Sequence, residues 1–252
     1  MNNYEKLEGM VAATFTPLDE NGDVNLSVID KYADWIASTP IKGVFVCGTT
    51  GEFSSLTIDE RKLILEKWLV SARKRFKVIA HVGSNCQRSA MELARHAAQV
   101  GADAIASIAP SFFKPGTVDE LVDFFAPICH SAAGLPFYYY NMPSITGVNL
   151  PVDKFLVEGK KKIPNLVGTK FTHNNLMEMG VCIELEQHRF EVLHGYDEIL
   201  ISGLAMGAVA GVGSTYNYIP NVYQAIFDSM KMNDLETARH NQIKSIRTVE
   251  VI

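Results

Sequence analysis

Lys170 ends the apolar run Leu166-Val167-Gly168-Thr169 and is followed by Phe171. An amine at the end of such a run either points into an apolar interior or hides among apolar neighbours. Loss of hydration disfavours its ammonium form and frees the lone pair, so the lysine becomes a nucleophile toward a carbonyl carbon. The competing reading is a lysine that snorkels to the rim and serves only as a charge. For an isolated strand-end lysine that second reading carries more weight, so the neighbouring motifs must decide. Tyr140 closes the run Pro136-Phe137-Tyr138-Tyr139-Tyr140 and precedes Asn141-Met142-Pro143. Period-two alternation sends Tyr138 and Tyr140 to one face and Tyr139 to the other. A phenol beside an imine can shuttle protons, whereas core packing accounts for Phe137 and Tyr139.

Three loops could bind what such a pair acts on. Gly48-Thr49-Thr50-Gly51-Glu52 brings two hydroxyls and a turn whose amides can converge on a carboxylate; alone, it is also an ordinary turn ahead of a helix. His194-Gly195-Tyr196-Asp197-Glu198 carries adjacent carboxylates that can accept bonds from sugar hydroxyls, or can complement a helix dipole. Gly211-Val212-Gly213-Ser214-Thr215 is a glycine-rich turn of the kind that binds phosphate in barrels, and a polyol-binding turn has the same composition. His81, His130, His173, His188 and His194 show no metal-ligand spacing, and no Ser-His-Asp set is legible.

These residues need elements to position them. Short apolar runs at 10–16, 43–47, 78–82, 104–108, 137–140, 166–170, 190–194 and 209–213 read as strands. Between them, 58–76, 89–100, 118–132, 175–186, 196–206 and 222–232 carry helical periodicity. Asp19, Asn25, Thr57, Thr117 and Asn174 stand where caps or turns belong. Eight strands alternating with helices, with no Pro- or Ser-rich linker, predict one (β/α)8 TIM barrel over residues 1–252, with a C-terminal helical segment beginning near 233. An open doubly wound sheet is the alternative, weakened because no strand leads into GxGxxG or a Walker loop. The amphipathic stretch 235–252 stops without a helix-end signal, so the sequence reads as cut short at its C-terminus. In such a barrel, reactive groups sit at the C-terminal ends of the strands, where Lys170, Tyr140 and all three loops fall.

Composition excludes other classes. With 252 residues, 47% hydrophobic and 20% charged, the chain is globular, and its net charge of −5 has no basic run to attract nucleic acid or anionic lipid. The trio Lys160, Lys161, Lys162 reads as a solvated helix end. Cys47, Cys86, Cys129 and Cys182 form no zinc or CxxC spacing and read mostly as small buried hydrophobes in a reducing cytosol. No stretch approaches the ~20 apolar residues of a membrane span, and the N-terminus lacks a secretory core. A cytoplasmic protein acting on a small molecule is expected.

Together the motifs resemble the N-acetylneuraminate lyase and dihydrodipicolinate synthase family of class I aldolases. The resemblance covers residues 7–216 through GTTGE at 48–52, YNMPSITG at 140–147, VGTKFT at 167–172, GYDE at 195–198 and GVGSTYN at 211–217. It implies that Lys170 forms a Schiff base and Tyr140 is the acid/base phenol. It further implies that Thr49 and Thr50 hold a pyruvyl carboxylate, and that Thr172, Gly195, Asp197, Glu198 and Ser214 contact the sugar chain. The lysine supplies the electron sink, so no metal, nucleotide or pyridoxal is called for, and a homotetramer is the family's usual assembly.

Within the family, synthases carry an arginine where this chain has Ile145, and a relay tyrosine from a neighbouring subunit where it has Phe113. An apolar Ile145 offers no fork for an acidic aldehyde, and GYDE and GSTYN are lyase-like. Thr49 leans the other way, because lyases often have serine there; both residues supply a hydroxyl. The resemblance therefore implies cleavage of sialic acid to N-acetylmannosamine and pyruvate. Rival readings are a 2-keto-3-deoxy sugar acid aldolase, a dihydrodipicolinate synthase, or a barrel that binds a keto acid without turnover.

Overall fold

The computed structural model describes residues 4–252 apart from Ala133. Eight parallel strands close into a barrel in sequence order: β1 (Gly9–Ala13), β2 (Gly43–Val46), β3 (Lys77–His81), β4 (Ala104–Ile108), β5 (Phe137–Asn141), β6 (Leu166–Phe171), β7 (Glu191–His194) and β8 (Ala210–Gly213). Pairing of β1 with β8 closes the ring, with Gly9 beside Ala210 and Ala12 beside Gly213. Around it run α1 (Val28–Ala37), α2 (Ile58–Ala72), α3 (Gln87–Val100), α4 (Val118–Ser131), the single turn α5 (Pro143–Thr146), α6 (Val152–Lys162), α7 (Leu176–Glu184), α8 (Leu200–Ala205), α9 (Pro220–Lys231) and α10 (Leu235–Val249). The TIM barrel with C-terminal helices expected from the alternation is thus the observed architecture. No described helix is long and apolar enough to cross a membrane.

Local chemistry explains most boundaries. Thr57 and Thr117 start α2 and α4 through capping boxes with Glu60 and Glu120, each such cap contributing about 1 kcal/mol. The side chain that caps α7 is Asn175, one residue beyond Asn174. The stretch 196–206 is not one helix: a 3-10 turn, Asp197–Ile199, precedes α8. Helices α1 and α6 complete the ring, and Lys160–Lys162 do form the last turn of α6. Among the cysteines, Cys47, Cys129 and Cys182 are buried and Cys86 is exposed.

The core has two parts. A large shell lies between strands and helices and includes Trp68, Phe125, Tyr139, Phe155, Phe171 and Tyr223. A smaller cluster fills the barrel lumen and includes Val11, Phe45, Ile79, Ile108, Tyr138, Tyr140, Leu193 and Val212. Removing large side chains such as these from water stabilises the fold by about 1.5–3 kcal/mol each. Tyr138 and Tyr140 face the lumen and Tyr139 the shell, as alternation predicts.

One irregularity sets the site. Phe137 pairs with Leu166 but Tyr138 pairs with Gly168, so Val167 is an extra residue in β6. Leu166 and Phe171 both face the shell although five positions separate them, which unbroken alternation forbids. The bulge re-phases the strand, as bulges near functional sites commonly do. Lys170 then aligns with Tyr140 on β5 and with Leu193 on β7, both lumen residues. Gly168 makes the close approach possible, since a Cβ there would lie 2.0 Å from the Glu191 carbonyl oxygen.

Candidate active site

Lys170 is 4% exposed, and its Nζ lies 4.0 Å from the ring centroid of Tyr140 and 4.5 Å from that of Phe45. The amine makes no hydrogen bond to any described residue. It rests on two aromatic faces at the C-terminal end of the lumen with its bonding capacity free. The Tyr140 hydroxyl donates to Met142 Sδ at 3.1 Å and lies 3.2 Å from Thr49 Oγ1. Lysine, phenol and the first threonine of the β2 loop are therefore one contiguous group.

The turn 48–51 is held under constraint. Cys47 (φ 53°) and Glu52 (φ 55°) flank it in the left-handed region, which costs about 1–2 kcal/mol for a residue with a Cβ. A Cβ on Gly48 would collide with the Phe45 ring at 2.8 Å. Thr16 Oγ1 donates to Gly51 O at 2.7 Å and ties the turn to the β1 loop. The amides of Thr49, Thr50 and Gly51 donate to no described acceptor. Three free N–H groups beside two hydroxyls form the kind of concavity that accepts a carboxylate.

Behind this turn stand two groups that spacing alone does not single out. His81 is buried; its Nδ1 lies 2.8 Å from Cys47 O, and its Nε2 accepts from Ile108 N at 3.3 Å. Those partners fix the neutral tautomer with the proton on Nδ1, and burial accordingly holds His81 well below the ordinary imidazole value. Its ring meets Tyr140 edge-on, centroids 5.9 Å apart. Arg61 on α2, also buried, donates to His81 O at 2.7 Å and Gly83 O at 2.9 Å. Burial draws its pKa down to about 10, which leaves it cationic at neutral pH.

On the opposite side, Thr172 and Gly195 continue the ladder beyond β6 and β7, Thr172 N donating to Asn141 O and Gly195 N to Phe171 O, both at 2.8 Å. A Cβ on Gly195 would fall 1.9 Å from Thr172 Oγ1, so only glycine fits. That hydroxyl is buried and unpartnered, a state that native proteins rarely leave without a role. Asp197 is not a free rim carboxylate. It is buried, and its Oδ2 accepts Thr215 N at 2.7 Å and Thr215 Oγ1 at 2.5 Å, joining the β7 and β8 loops. Glu198, half-buried beside it, has a carboxyl raised by burial first and by the Asp197 charge second. Ser214 opens the 3-10 turn Thr215–Asn217 at the end of β8.

Of the expected residues, Lys170, Tyr140 and Thr49 are joined by direct contacts. Thr50 follows in the same turn, Thr172 lies just beyond Lys170 at the end of β6, and Gly195, Asp197, Glu198 and Ser214 lie on the loops after β7 and β8. Phe45, His81, Arg61, Met142 and Thr215 are the neighbours that pattern reading misses. Met142 and Thr215 lie inside the YNMPSITG and GVGSTYN motifs, but the backbone partners of Arg61 and His81 come from segments distant in sequence. Phe113 is 87% exposed and packs only on Phe112 among described aromatic neighbours, and Ile145 is exposed as well. Among the described residues no three His, Cys, Asp or Glu side chains converge on a metal site.

Comparison with known proteins shows the family and the fold. N-acetylneuraminate lyase from Mus musculus is 41% identical over 98% of this chain and 78% of its own. The structure of Proteus mirabilis N-acetylneuraminate lyase superposes with a TM-score of 0.95 at 36% identity, covering 98% of this chain and 83% of that one. A catalytic lysine mutant of Ruminococcus gnavus sialic acid aldolase superposes with a TM-score of 0.93 at 28% identity, covering 99% and 81%. Residues 6–251 match the Dihydrodipicolinate synthetase family, and the chain belongs to it.

Proposed function

We propose that this enzyme is a class I aldolase that reversibly cleaves N-acetylneuraminate to N-acetylmannosamine and pyruvate through a Schiff base on Lys170. The lyases among its relatives, at 41% identity for the mouse protein, support the reaction, and the name of the Ruminococcus gnavus variant gives that aldolase a catalytic lysine. The observation that carries the assignment is the Lys170 amine, turned into the lumen by the β6 bulge and lying unbonded against the Tyr140 ring.

In this reading the uncharged amine of Lys170 attacks the C2 ketone of the open-chain sugar acid. Loss of water gives a protonated imine, an electron sink that makes the C3–C4 bond breakable. Tyr140 takes the proton of the C4 hydroxyl. The C3–C4 electron pair moves into the imine, N-acetylmannosamine leaves as the aldehyde, and the remaining enamine is protonated at C3 and hydrolysed to pyruvate. Free amides at 49–51 and the hydroxyls of Thr49 and Thr50 would hold the carboxylate. The contact between Thr49 Oγ1 and the phenol gives the proton a route out of Tyr140 without a relay tyrosine. Thr172, Gly195, Asp197 through its Oδ1, Glu198 and Ser214 would line the polyol end. A homotetramer in the cytoplasm is the setting we carry over from the family likeness.

The test is incubation with N-acetylneuraminate and measurement of pyruvate, with ketodeoxygluconate in parallel. Release from the first substrate at a much higher kcat/KM than from the second is expected; the reverse order assigns the chain to the sugar-acid aldolases. No pyruvate from either substrate overturns the aldolase reading and leaves a synthase or a barrel that binds a keto acid without turnover.

A further inference from the structure

Helix α10 buries an unusual face. Its buried residues are Ala238, Asn241, Gln242 and Ser245, spaced as one helical stripe but mostly polar where a packing helix is ordinarily apolar. Gln242 is 4% exposed, and its amide is almost fully bonded. Nε2 donates to Asp197 O at 3.0 Å and to Ser245 Oγ at 2.6 Å, while Oε1 accepts from Ile201 N at 2.9 Å. The amide orientation is forced, since a backbone N–H can only donate and a carbonyl can only accept. One side chain therefore grips both ends of the turn 197–201, which carries the two carboxylates.

The turn has little else to hold it. Its internal bonds are a long Ile199 N to Tyr196 O contact of 3.3 Å and the Leu200 N–H to Asp197 O. The Asp197 carboxylate is latched to Thr215, whose hydroxyl also meets that of Tyr223 on α9. Backbone and side chain of Asp197 are thus fixed from two independent directions, one of them a helix outside the eight βα units.

We infer that Gln242 is a positioning residue for substrate recognition: from α10 it sets the turn that aims Asp197 and Glu198 at the polyol end of the substrate. This rests on the sialic acid reading given above. A hydroxyl-rich tail is recognised by hydrogen bonds whose strength depends on position, and a displacement of about 1 Å can cost up to ~100-fold. Among the described residues, no hydrogen bond joins the Gln242 amide to the keto-acid end built on β2, β5 and β6; its partners are Asp197 O, Ile201 N and Ser245 Oγ.

The experiment compares two 2-keto acids that can undergo the same cleavage, N-acetylneuraminate and the short 4-hydroxy-2-oxopentanoate, which lacks the polyol. Gln242→Met keeps the volume and removes the amide. It should raise KM for N-acetylneuraminate by about 10- to 100-fold. It should change kcat/KM for the short substrate by less than about threefold and leave borohydride trapping of pyruvate at its wild-type concentration dependence. Ser245→Ala, which frees one bond of the amide, should shift the same ratio in the same direction by a smaller factor, and it carries the test should Gln242→Met not fold. Equal losses on both substrates, or an unchanged KM for the long one, would overturn the assignment. A wild-type protein that releases no pyruvate from N-acetylneuraminate takes the functional reading down first. Active wild type with an unselective variant removes Gln242 alone.

Discussion

The two ends of the barrel lumen use the same residue types to opposite effect. At the N-terminal end, Tyr138 donates to Glu191 Oε2 at 3.0 Å and touches the Tyr4 hydroxyl at 2.6 Å, while Leu7 N donates to the same carboxylate oxygen at 2.9 Å. Two residues further along the same strand face, Tyr140 meets only a threonine hydroxyl and a thioether, and the lysine beside it meets only rings. At the first end the Tyr4 and Tyr138 hydroxyls, the Leu7 amide and Glu191 Oε2 close on one another. The other leaves an amine, three amides and the Thr172 hydroxyl for something that is not protein. Cavity size would mislead here: a groove of about 1040 Å3 opens at the N-terminal end, where Lys77 is paired with Glu5 and Asp103. Free bonding capacity marks the reactive end, in keeping with the division of labour between the two faces of such barrels.

The comparison breaks most sharply at Lys170. Lys170→Met should lower kcat/KM for N-acetylneuraminate by roughly 10^4-fold or more, since the covalent route is gone. Stability should hold or rise, because an unbonded amine gives way to an apolar side chain in an apolar place. Mass spectrometry after borohydride and pyruvate should find no adduct, and an adduct at wild-type level would remove Lys170 from the reaction. Tyr140→Phe comes next. Loss of a proton-transfer group is worth about 10^2- to 10^4-fold in kcat, whereas trapping of the pyruvate imine should persist. A variant as active as the wild type would leave the phenol without a part in the mechanism.

How much of this was legible before folding follows from the same residues. Strand number, order and the tyrosine alternation can be read because apolar runs and period two are local properties. Candidates for the site can be read because five motifs lie at strand ends, where a barrel gathers them. The inward aim of Lys170 cannot. Counting alternate residues from Leu166 puts Lys170 on the same side as Leu166, which is the shell, and only the extra residue Val167 reverses that. Asp197 likewise reads as a rim acid because its partner Thr215 lies 18 residues away on another loop. Gln242 gives no signal at all, since its value lies in two backbone groups about forty residues earlier. Local chemistry is written in the sequence, whereas long-range pairing appears only once the barrel closes.

Smaller effects should sharpen the contrast from the N-terminal end. Tyr138→Phe removes the donor to Glu191 and the partner of Tyr4 while keeping the ring. It should cost about 1–3 kcal/mol in denaturant unfolding and leave kcat/KM within about threefold, so a variant inactive at full stability would erase the distinction between the two ends. The finest test uses pH. Burial, more than any other influence, raises the Glu191 carboxyl above the ordinary glutamate range. The folded chain therefore holds this proton at pH values where the unfolded chain has lost it. Stability from Glu191 is full below the unfolded value and is lost as pH rises through the folded one. Wild-type unfolding free energy should accordingly fall across that window relative to Glu191→Gln, which has no proton to lose. Glu198, raised by burial and by Asp197, lies at the other end, where under the proposed function its ionised form is the stronger acceptor for a sugar hydroxyl. Protonating it should raise KM as pH falls, and Glu191→Gln should leave that KM profile unmoved. Two raised glutamates, one read in the unfolding curve and the other in substrate binding, would separate the closed end of the lumen from the open one; a KM profile that shifts with Glu191→Gln would show the ends to be coupled.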